Sequence, residues 1–277
     1  MLIAVPQTAR QPRAAARGRL GRLALTGAAV AGALFLIVPL AVLILRSAAT
    51  RGWEGLPQTG VAEAVSLSLA TTTLSTGLTL LLGTPLAYVL ARWRFPGRGL
   101  VNTLVTLPIV LPPAVAGLAL LLTFGRRGLL GPPLTLLGIN IAFTPTAVVM
   151  AQTFVAAPFF IRAAIVGFRG ISREIEDAGR VDGAAGWALF RLVTLPLAGR
   201  ALAAGLILAW ARALGEFGAT IMFAGSLSGR TQTMPLLVYS VFERNIDAAI
   251  WTGVLLLGVA LAALLLSQWL SNSDDGE

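Results

Sequence analysis

Apolar residues along this chain fall into six long runs, separated by short segments that are rich in arginine, glycine and proline. A run of about 20 apolar residues is long enough for a helix to cross the hydrocarbon core of a bilayer. The pattern therefore predicts an all-α integral membrane protein with six transmembrane helices. The predicted spans cover roughly residues 23–45, 62–91, 100–123, 142–168, 199–223 and 248–270.

The composition agrees with this class, because 56% of the 277 residues are hydrophobic and only 12% are charged. The net charge of +9 would suit a nucleic-acid-binding protein if the basic residues formed one patch. Most of them lie instead in the segments between the apolar runs, where arginines set topology and contact anionic lipid. We therefore expect membrane lipid, and no nucleic acid, among the partners.

Arginine placement predicts the orientation, since short cytoplasmic loops accumulate basic residues. If successive spans alternate in direction, fourteen arginines lie on the side of the N-terminus and six on the other side, which places both termini in the cytoplasm. The predicted organisation is a cytoplasmic tail at 1–22, a transmembrane domain at 23–270 that includes a cytoplasmic loop at 169–198, and a cytoplasmic tail at 271–277.

Cysteine, histidine and lysine are all absent from the sequence. Without cysteine or histidine there is no Cys/His metal site, so we expect neither a metal nor a cofactor. A nucleotide-binding Walker loop needs a lysine that reaches the β- and γ-phosphates. The chain is therefore predicted not to be an enzyme, and any ATP-driven work must be powered by a partner.

The longest loop, residues 167–200, has a helical pattern although it is too polar to cross the membrane. Glu176 lies four residues before Arg180, which places the two charges on one face of a helix. Asp182–Gly183 predicts a turn, and Leu195–Pro196 predicts the end of a second short helix. The loop is therefore expected to present a folded surface outside the membrane, with an amphipathic linker on the bilayer as the alternative.

The spacing in this loop resembles the EAA loop of bacterial ABC importer permeases: Glu-Ala-Ala, three residues, Gly, nine residues, Ile, one residue, Leu-Pro. The chain departs from that pattern at Asp177, Gly179 and Val193, and Glu176 is an alternative source of the carboxylate one position early. The resemblance implies the type I importer permease fold, in which the loop forms coupling helices that dock on a separate ATPase. The residues implied in ATPase coupling are Glu176, Asp177, Ala178, Gly179, Gly183, Leu195 and Pro196.

Further along, the stretches RALGEFGATIMFAG and GRTQTMPLLVYSVF look like the molybdate-type branch of these permeases, with the sulfate-type branch a close relative. The resemblance implies a permease for molybdate or tungstate in a bacterial inner membrane, with sulfate or thiosulfate as the alternative. It also implies three kinds of protein partner: two cytoplasmic ABC ATPase subunits, an extracytoplasmic oxyanion-binding protein, and a second copy of the chain that completes a homodimeric pore.

Two charges fall inside the fifth apolar run, where Arg212 and Glu216 are about one helical turn apart. Charges at membrane depth are costly and mark functional sites. Three interpretations are open: Arg212 attracts the oxyanion, the charges form a self-neutralising pair that fixes the helix, or they exchange partners during gating. The second and third are favoured, because a nearby glutamate cancels most of the attraction for an anion. The residues predicted to act in the pore or in gating are Arg212, Gly215, Glu216, Gly218 and Thr220.

Helix-breaking and small residues are concentrated in the third and fifth runs. Pro108, Pro112 and Pro113 predict a broken helix in the third run. Gly215 and Gly218 are expected to allow close packing of the fifth. Thr220 is expected to bond its own helix rather than a passing anion.

A secondary transporter driven by an ion gradient is the main competing class, because broken helices and a buried acid suit it as well. That class predicts a repeat between the two halves of the chain. No counterpart of Arg212 and Glu216 occurs in the first three apolar runs, so the ABC permease remains the prediction.

Overall fold

A computed structural model describes residues 12–52, 54 and 60–272, and, within these ranges, the side chains from residue 22 to residue 265. Every regular element in this part of the chain is a helix. The chain divides into two compact units, Met1–Arg51 and Gly52–Glu277. The predicted tails include residues 1–11 and 273–277, which lie outside the described residues.

The first unit contains the helix α1 (Pro12–Ala49). In the second unit, a π-helical turn (Phe190–Thr194) joins the helix Trp187–Leu189 to the helix Leu195–Leu214. The helices of the second unit are α2 (Val61–Arg92), α3 (Arg98–Val110), α4 (Pro113–Phe124), α5 (Gly131–Leu136), α6 (Pro145–Gly170), α7 (Arg173–Val181), α8 (Trp187–Leu189), α9 (Leu195–Leu214), α10 (Gly218–Ala224), α11 (Met234–Phe242) and α12 (Ile246–Asn272).

Among the described residues, five helices are long and apolar enough to cross a membrane, or six if α3 and α4 count as one broken span. The predicted all-helical membrane class is therefore confirmed. The match is closest for the second span, predicted at 62–91, which α2 covers from Val61 to Arg92. The helices α5 and α11 are short and were not predicted.

The third predicted span is broken, because α3 and α4 meet at an angle of 116°. Leu111 follows α3 with extended backbone (φ −66°, ψ 134°), the conformation that residues before a proline favour. Pro112 is also extended (φ −53°, ψ 131°) and precedes the first turn of α4. Neither Pro112 nor Pro113 can donate a backbone hydrogen bond, so the break predicted from the proline cluster is confirmed.

The central helix of the second unit is α6, which contacts α2, α3, α4, α9 and α10. Small residues make these contacts close: a Cβ on Gly167 would lie 2.5 Å from the Cβ of Ala201 in α9, and one on Gly205 would lie 2.7 Å from the Cβ of Ala163. Gly83 provides the same kind of close contact between α2 and α6. Small residues at helix interfaces are how membrane helices gain packing area without a hydrophobic driving force.

The helix α2 buries hydroxyl side chains where an ordinary core would bury aliphatic ones. Several donate to the carbonyl one turn earlier, as Thr76 does to Thr72 (2.7 Å) and Thr84 to Leu80 (2.6 Å). Gln152 of α6 donates across to Oγ1 of Thr72 at 3.3 Å. Such bonds satisfy hydroxyls in an apolar surrounding. The buried hydroxyl residues of α2 are Ser68, Thr71, Thr72, Ser75, Thr76, Thr79 and Thr84.

The prediction that Leu195–Pro196 ends a short helix is wrong, because α8, the π turn and α9 form one apolar helix, Trp187–Leu214. In an ordinary α-helix the ring of Pro196 would clash with the carbonyl of Leu192, four residues earlier. The π turn widens the backbone just before the proline, and the amide of Leu195 donates to the carbonyl of Phe190. This helix therefore begins inside the loop predicted at 169–198.

Candidate coupling and gating sites

The first candidate site is the coupling segment, defined as residues 171–196, which contains α7, α8 and the π turn. Gly183 ends α7 in the left-handed region, with φ +93°. The amide of Ala184 donates to the carbonyl of Gly179 at 2.9 Å. This is the Schellman arrangement, in which a left-handed glycine closes the helix. The turn predicted at Asp182–Gly183 is therefore confirmed.

Glu176 of α7 points into the protein and is 5% exposed. Its Oε1 lies 3.0 Å from Nη2 of Arg92, the last residue of α2, and accepts a hydrogen bond from Oγ1 of Thr194 at 3.2 Å. The same Nη2 donates to the carbonyl of Ile171 at 3.0 Å. A buried charge needs both an opposite charge and hydrogen bonds, and other elements supply both here. Arg92, Ile171, Glu176 and Thr194 are called the anchor cluster below.

Asp177, the next residue, is exposed over 66% of its side chain. It pairs with Arg180, which is 52% exposed, and Nη2 of Arg180 lies 4.0 Å from Oε2 of Glu176. The predicted proximity of Glu176 and Arg180 is thus confirmed. The Asp177–Arg180 pair is exposed on both sides, and exposed pairs contribute little to stability. Of the two carboxylates that the sequence offers for ATPase contact, Asp177 is accessible and Glu176 is turned inward.

Gly179 explains one departure from the EAA pattern. A Cβ at this position would lie 3.1 Å from Cδ1 of Leu189 and 3.3 Å from Cγ2 of Val193, which is tighter than ordinary van der Waals contact. Glycine therefore lets α7 lie close against α8 and the π turn. Of the other implied coupling residues, Ala178 and Pro196 are exposed, whereas Leu195 is half-buried.

The coupling segment also carries several apolar side chains that the chain itself does not cover. Exposed apolar patches of this kind mark sites of interaction with another protein or with lipid. Trp187 is 70% exposed although its ring lies 5.3 Å from that of Phe190. The exposed apolar residues of the segment are Ile175, Val181, Trp187 and Leu192.

The second candidate site is the break at residues 215–217 between α9 and α10, which interrupts the span predicted at 199–223. Nη1 of Arg212 lies 2.7 Å from Oε2 of Glu216, as an ion pair without hydrogen-bond alignment. Glu216 is 1% exposed, and its Oε1 accepts a hydrogen bond from the amide of Ala219 at 2.7 Å. One carboxylate therefore neutralises Arg212 and satisfies the first turn of α10, which matches the self-neutralising interpretation.

The predicted residues around the break differ in their surroundings. A Cβ on Gly218 would lie 2.7 Å from the Cβ of Pro113, so the break lies against the start of α4. A Cβ on Gly215 would meet only the carbonyl oxygen of Ala211, at 3.8 Å. Thr220 is buried, and its hydroxyl has no hydrogen-bond partner among the described residues, so the expected bond to its own helix is not formed.

A polar cavity of about 890 Å³ lies beside the first turn of α2, at the opposite end of that helix from Arg92. In it, the side-chain amide of Gln232 donates to Oγ of Ser226 at 3.2 Å and to Oγ of Ser240 at 3.1 Å. Glu243 accepts a hydrogen bond from Tyr239, and this bond with the negative charge raises the pKa of Tyr239 above its usual value. Sequence reasoning did not identify this cavity.

Sequence reasoning also missed Arg92 and Thr194. In the sequence, Arg92 is one of several arginines that set topology, and Thr194 falls at an unassigned position of the EAA-like pattern. Arg92 directly ends an apolar run, whereas Arg94 and Arg98 follow after it. Arginines near helix ends ordinarily reach the membrane interface, so the sequence does not distinguish Arg92 from the other arginines that set topology.

These features define a class of protein. Interrupted helices inside a membrane bundle are tolerated where they are buried in protein or line a water-filled path. The second unit combines two such interruptions, between α3 and α4 and between α9 and α10, with a folded segment that exposes apolar side chains. These features are typical of a membrane transport protein.

Comparison with known proteins identifies the family. Residues 83–272 match the family described as "Binding-protein-dependent transport system inner membrane component". The chain belongs to this family and is therefore a multi-pass permease component of the inner membrane, a kind of protein that is not itself catalytic. The predicted class, localisation and permease fold are confirmed.

Individual relatives agree with this assignment. The chain is 41% identical over 237 residues to the "Molybdenum transport system permease protein ModB" of Mycobacterium bovis, which covers 86% of this chain and 90% of the relative. It is 39% identical over 209 residues to the "Sulfate transport system permease protein CysW" of Synechococcus elongatus, covering 75% of this chain and 73% of the relative.

Among solved structures, a chain of the bacterial alginate ABC transporter, in complex with its alginate pentasaccharide-bound periplasmic protein, has a similar fold. The TM-score is 0.76 at 18% sequence identity, covering 97% of this chain and 99% of that chain. This likeness shows that the chain has the ABC importer permease fold.

Proposed function

We propose that this chain is the membrane permease of an ATP-driven importer for molybdate or tungstate. The observation that carries the proposal is the coupling segment, whose spacing resembles the EAA loop and which exposes Asp177 beside uncovered apolar side chains. The substrate is inferred from the similarity to a relative named for molybdenum transport, at 41% identity. The stretch RALGEFGATIMFAG, residues 212–225, supports the same branch.

In this proposal the coupling segment and both termini are cytoplasmic, and the cavity beside the first turn of α2 faces the outside. The bias of arginines towards one side supports this orientation. Two copies of the chain form the pore, and each binds one ATPase subunit through its coupling segment. An extracytoplasmic binding protein delivers the oxyanion to the outer face.

ATP binding would bring the two ATPase subunits together and carry the coupling segments with them. The spans would then switch between an outward-facing and an inward-facing state, and both ATP and the loaded binding protein must bias that equilibrium. The pore needs little affinity for the anion, because selection takes place at the binding protein. This agrees with a neutralised Arg212 rather than a free cation in the fifth span.

The implied coupling residues divide into two groups in this mechanism. Asp177, Ala178 and Pro196 are exposed and contact the ATPase. Gly179, Gly183 and Leu195 give the coupling segment its shape, and Glu176 fixes it to α2.

The residues predicted to act in the pore or in gating have their roles within the spans. Arg212 and Glu216 hold the break between α9 and α10 and exchange partners during gating. Gly218 packs this break against α4, and Gly215 leaves room for it to move. The unpartnered hydroxyl of Thr220 becomes available to a new partner when the break rearranges.

A sulfate permease is the second candidate, because the chain is 39% identical to a relative named for sulfate transport. The two candidates share fold, partners and mechanism. They differ in the binding protein that docks on the outer face, so that protein must be part of the test.

The test is uptake into proteoliposomes that contain the permease with its cognate ATPase and binding protein. We expect molybdate to accumulate only when ATP and the loaded binding protein are both present, with tungstate competing and sulfate not competing. Competition by sulfate at equal concentration would favour the second candidate. Uptake driven by an ion gradient without the ATPase would contradict both.

A further inference from the structure

We infer that Arg92 is a positioning residue for ATP coupling, which acts through Glu176 to make α7 move together with the end of α2. The inference rests on the proposed function, because it presumes that the ATPase moves the coupling segment. Sequence and family resemblance assign Arg92 no role in coupling. Its proposed role comes from the anchor cluster, in which one guanidinium nitrogen reaches both the α6–α7 junction and the carboxylate of α7.

The anchor cluster is arranged so that α7 cannot shift alone. Glu176 is held by donors from two other elements, Arg92 at the end of α2 and Thr194 in the π turn. Arg92 is 10% exposed at its side chain, so water does not readily replace the carboxylate. Separating the pair would leave the buried carboxylate with one hydrogen-bond donor, Thr194, and with the half-exposed Arg180 4.0 Å away as its counter-charge, which is unfavourable.

Neighbouring contacts reinforce the same end of α2. Nε of Arg98 donates to the carbonyl of Leu90 at 3.0 Å and closes the last turn of the helix. The rings of Tyr88 in α2 and Phe190 in the π turn lie 4.9 Å apart, in edge-on contact. A force applied to the exposed face of α7 would therefore reach α2 through the Arg92–Glu176 ion pair and the aromatic contact, and not only along the backbone.

The connection matters because α2 carries the buried hydroxyl residues against α6, the central helix. A rigid link at Arg92 passes a displacement of α7 directly to this long helix, which runs from the coupling segment to the outer cavity. Without the link, the ATPase could still bind the exposed face of α7, but α7 could tilt without moving α2. The ATPase would then stay bound while transport failed.

The experiment compares Arg92→Gln with Arg94→Gln in the purified complex of permease, ATPase and binding protein. Arg94 is exposed and lies two residues further along, so it matches the charge change without touching the anchor cluster. ATP hydrolysis and oxyanion uptake are measured in the same proteoliposomes. Two ratios are reported: the stimulation of hydrolysis by loaded binding protein over the basal rate of the same complex, and the anion transported per ATP.

We expect Arg92→Gln to lower both ratios about ten-fold, within the range of ordinary coupling free energies, while the ATPase still co-purifies. Arg94→Gln should keep both ratios, and Arg92→Lys should recover part of the loss because it restores the charge but not the fixed planar geometry of the guanidinium. Unchanged ratios in Arg92→Gln would overturn the inference. If the wild-type complex itself gives no stimulated hydrolysis or uptake, the proposed function fails instead.

If Arg92→Gln does not fold, a second variant tests whether the ion pair is needed for coupling. The double variant Arg92→Met with Glu176→Leu replaces the buried ion pair by apolar side chains, an exchange that often keeps or raises stability. We expect a folded complex that binds the ATPase but still has low ratios. Full stimulation and full transport per ATP in this double variant would mean that the polar link is not needed, which would overturn the inference.

Discussion

Two buried glutamates in the second unit, Glu216 and Glu176, each have a close arginine partner, and the two pairs link different parts of the structure. Arg212 and Glu216 are close in sequence and lie on either side of a helix end, 2.7 Å apart. Arg92 and Glu176 come from distant parts of the chain and meet at 3.0 Å, with Thr194 and the carbonyl of Ile171 completing the cluster. The first pair stabilises a local break, whereas the second joins three elements.

The two arginines also differ in their access to solvent, and this difference has consequences. The side chain of Arg212 is 28% exposed and that of Arg92 is 10% exposed, although both glutamates are nearly fully buried. An exposed arginine can recover solvation when its partner is lost, whereas a buried pair cannot. Disrupting the long-range pair should therefore cost more than disrupting the local one.

Arg92→Ala is expected to have the largest effect. It leaves the carboxylate of Glu176 buried with only Thr194 as a donor, so we expect the free energy of unfolding to fall by about 4 kcal/mol. Thermal unfolding of the detergent-solubilised complex measures the loss, with the exposed Arg94→Ala as control. A loss no greater than that of the control would erase the distinction between the two pairs.

Glu216→Ala should rank second, with a loss of about 2.5 kcal/mol, because it removes both the ion pair and the acceptor for the first turn of α10. Glu216→Gln retains an oxygen that can accept from the amide of Ala219, so it should recover about half of that loss. The same unfolding measurement distinguishes them. Faster oxyanion uptake by Glu216→Gln would favour Arg212 as an anion ligand and contradict the self-neutralising interpretation.

Gly218→Ala sharpens the comparison by testing how tightly the break is packed. The new Cβ would lie 2.7 Å from the Cβ of Pro113, so we expect a loss of about 2 kcal/mol from overpacking. Gly215→Ala is the matched control in the same break, since its Cβ would meet only one atom, at 3.8 Å. Equal unfolding temperatures for the two variants would mean that α4 does not constrain the break.

Gly183→Ala should have the smallest effect of the four, because it strains one left-handed residue without losing a buried contact. With φ at +93°, we expect a loss of about 1 kcal/mol. Gly199→Ala is the control: it lies within α9 and its Cβ meets nothing within 4 Å, so it should not destabilise and should gain about 0.5–1 kcal/mol from helix propensity. Co-purification of the ATPase is measured in parallel, and this association should weaken for Gly183→Ala but not for Gly199→Ala.

The features that local patterns determine could be predicted from the sequence. The ends of α2, the turn at Gly183 and the break at Pro112–Pro113 follow from apolar periodicity, from the left-handed preference of glycine, and from the missing amide of proline. The proximity of Arg212 and Glu216 also follows from their spacing. In each case the interacting residues are near neighbours in the chain.

The features that depend on distant contacts could not be predicted. Leu195–Pro196 suggested a helix end, but a π turn accommodates the proline and the helix continues. The sequence offers Glu176 as an alternative carboxylate for ATPase contact, whereas the structure buries it against Arg92. Nothing in a single sequence specifies which arginine meets which glutamate across the bundle, because that choice is made by the packing of α2, α6 and α9.

The measurement that tests the account most directly is a spin-label distance between the end of α2 and α7. The chain contains no cysteine, so Trp93→Cys and Arg173→Cys, both at exposed positions, can be labelled without removing native thiols. In the assembled complex, with uptake confirmed in the same preparation, we predict the same distance distribution in the nucleotide-free and ATP-bound states, and divergent distributions when Arg92→Gln is added. A distance that changes with ATP in the labelled complex with Arg92 intact would contradict the account.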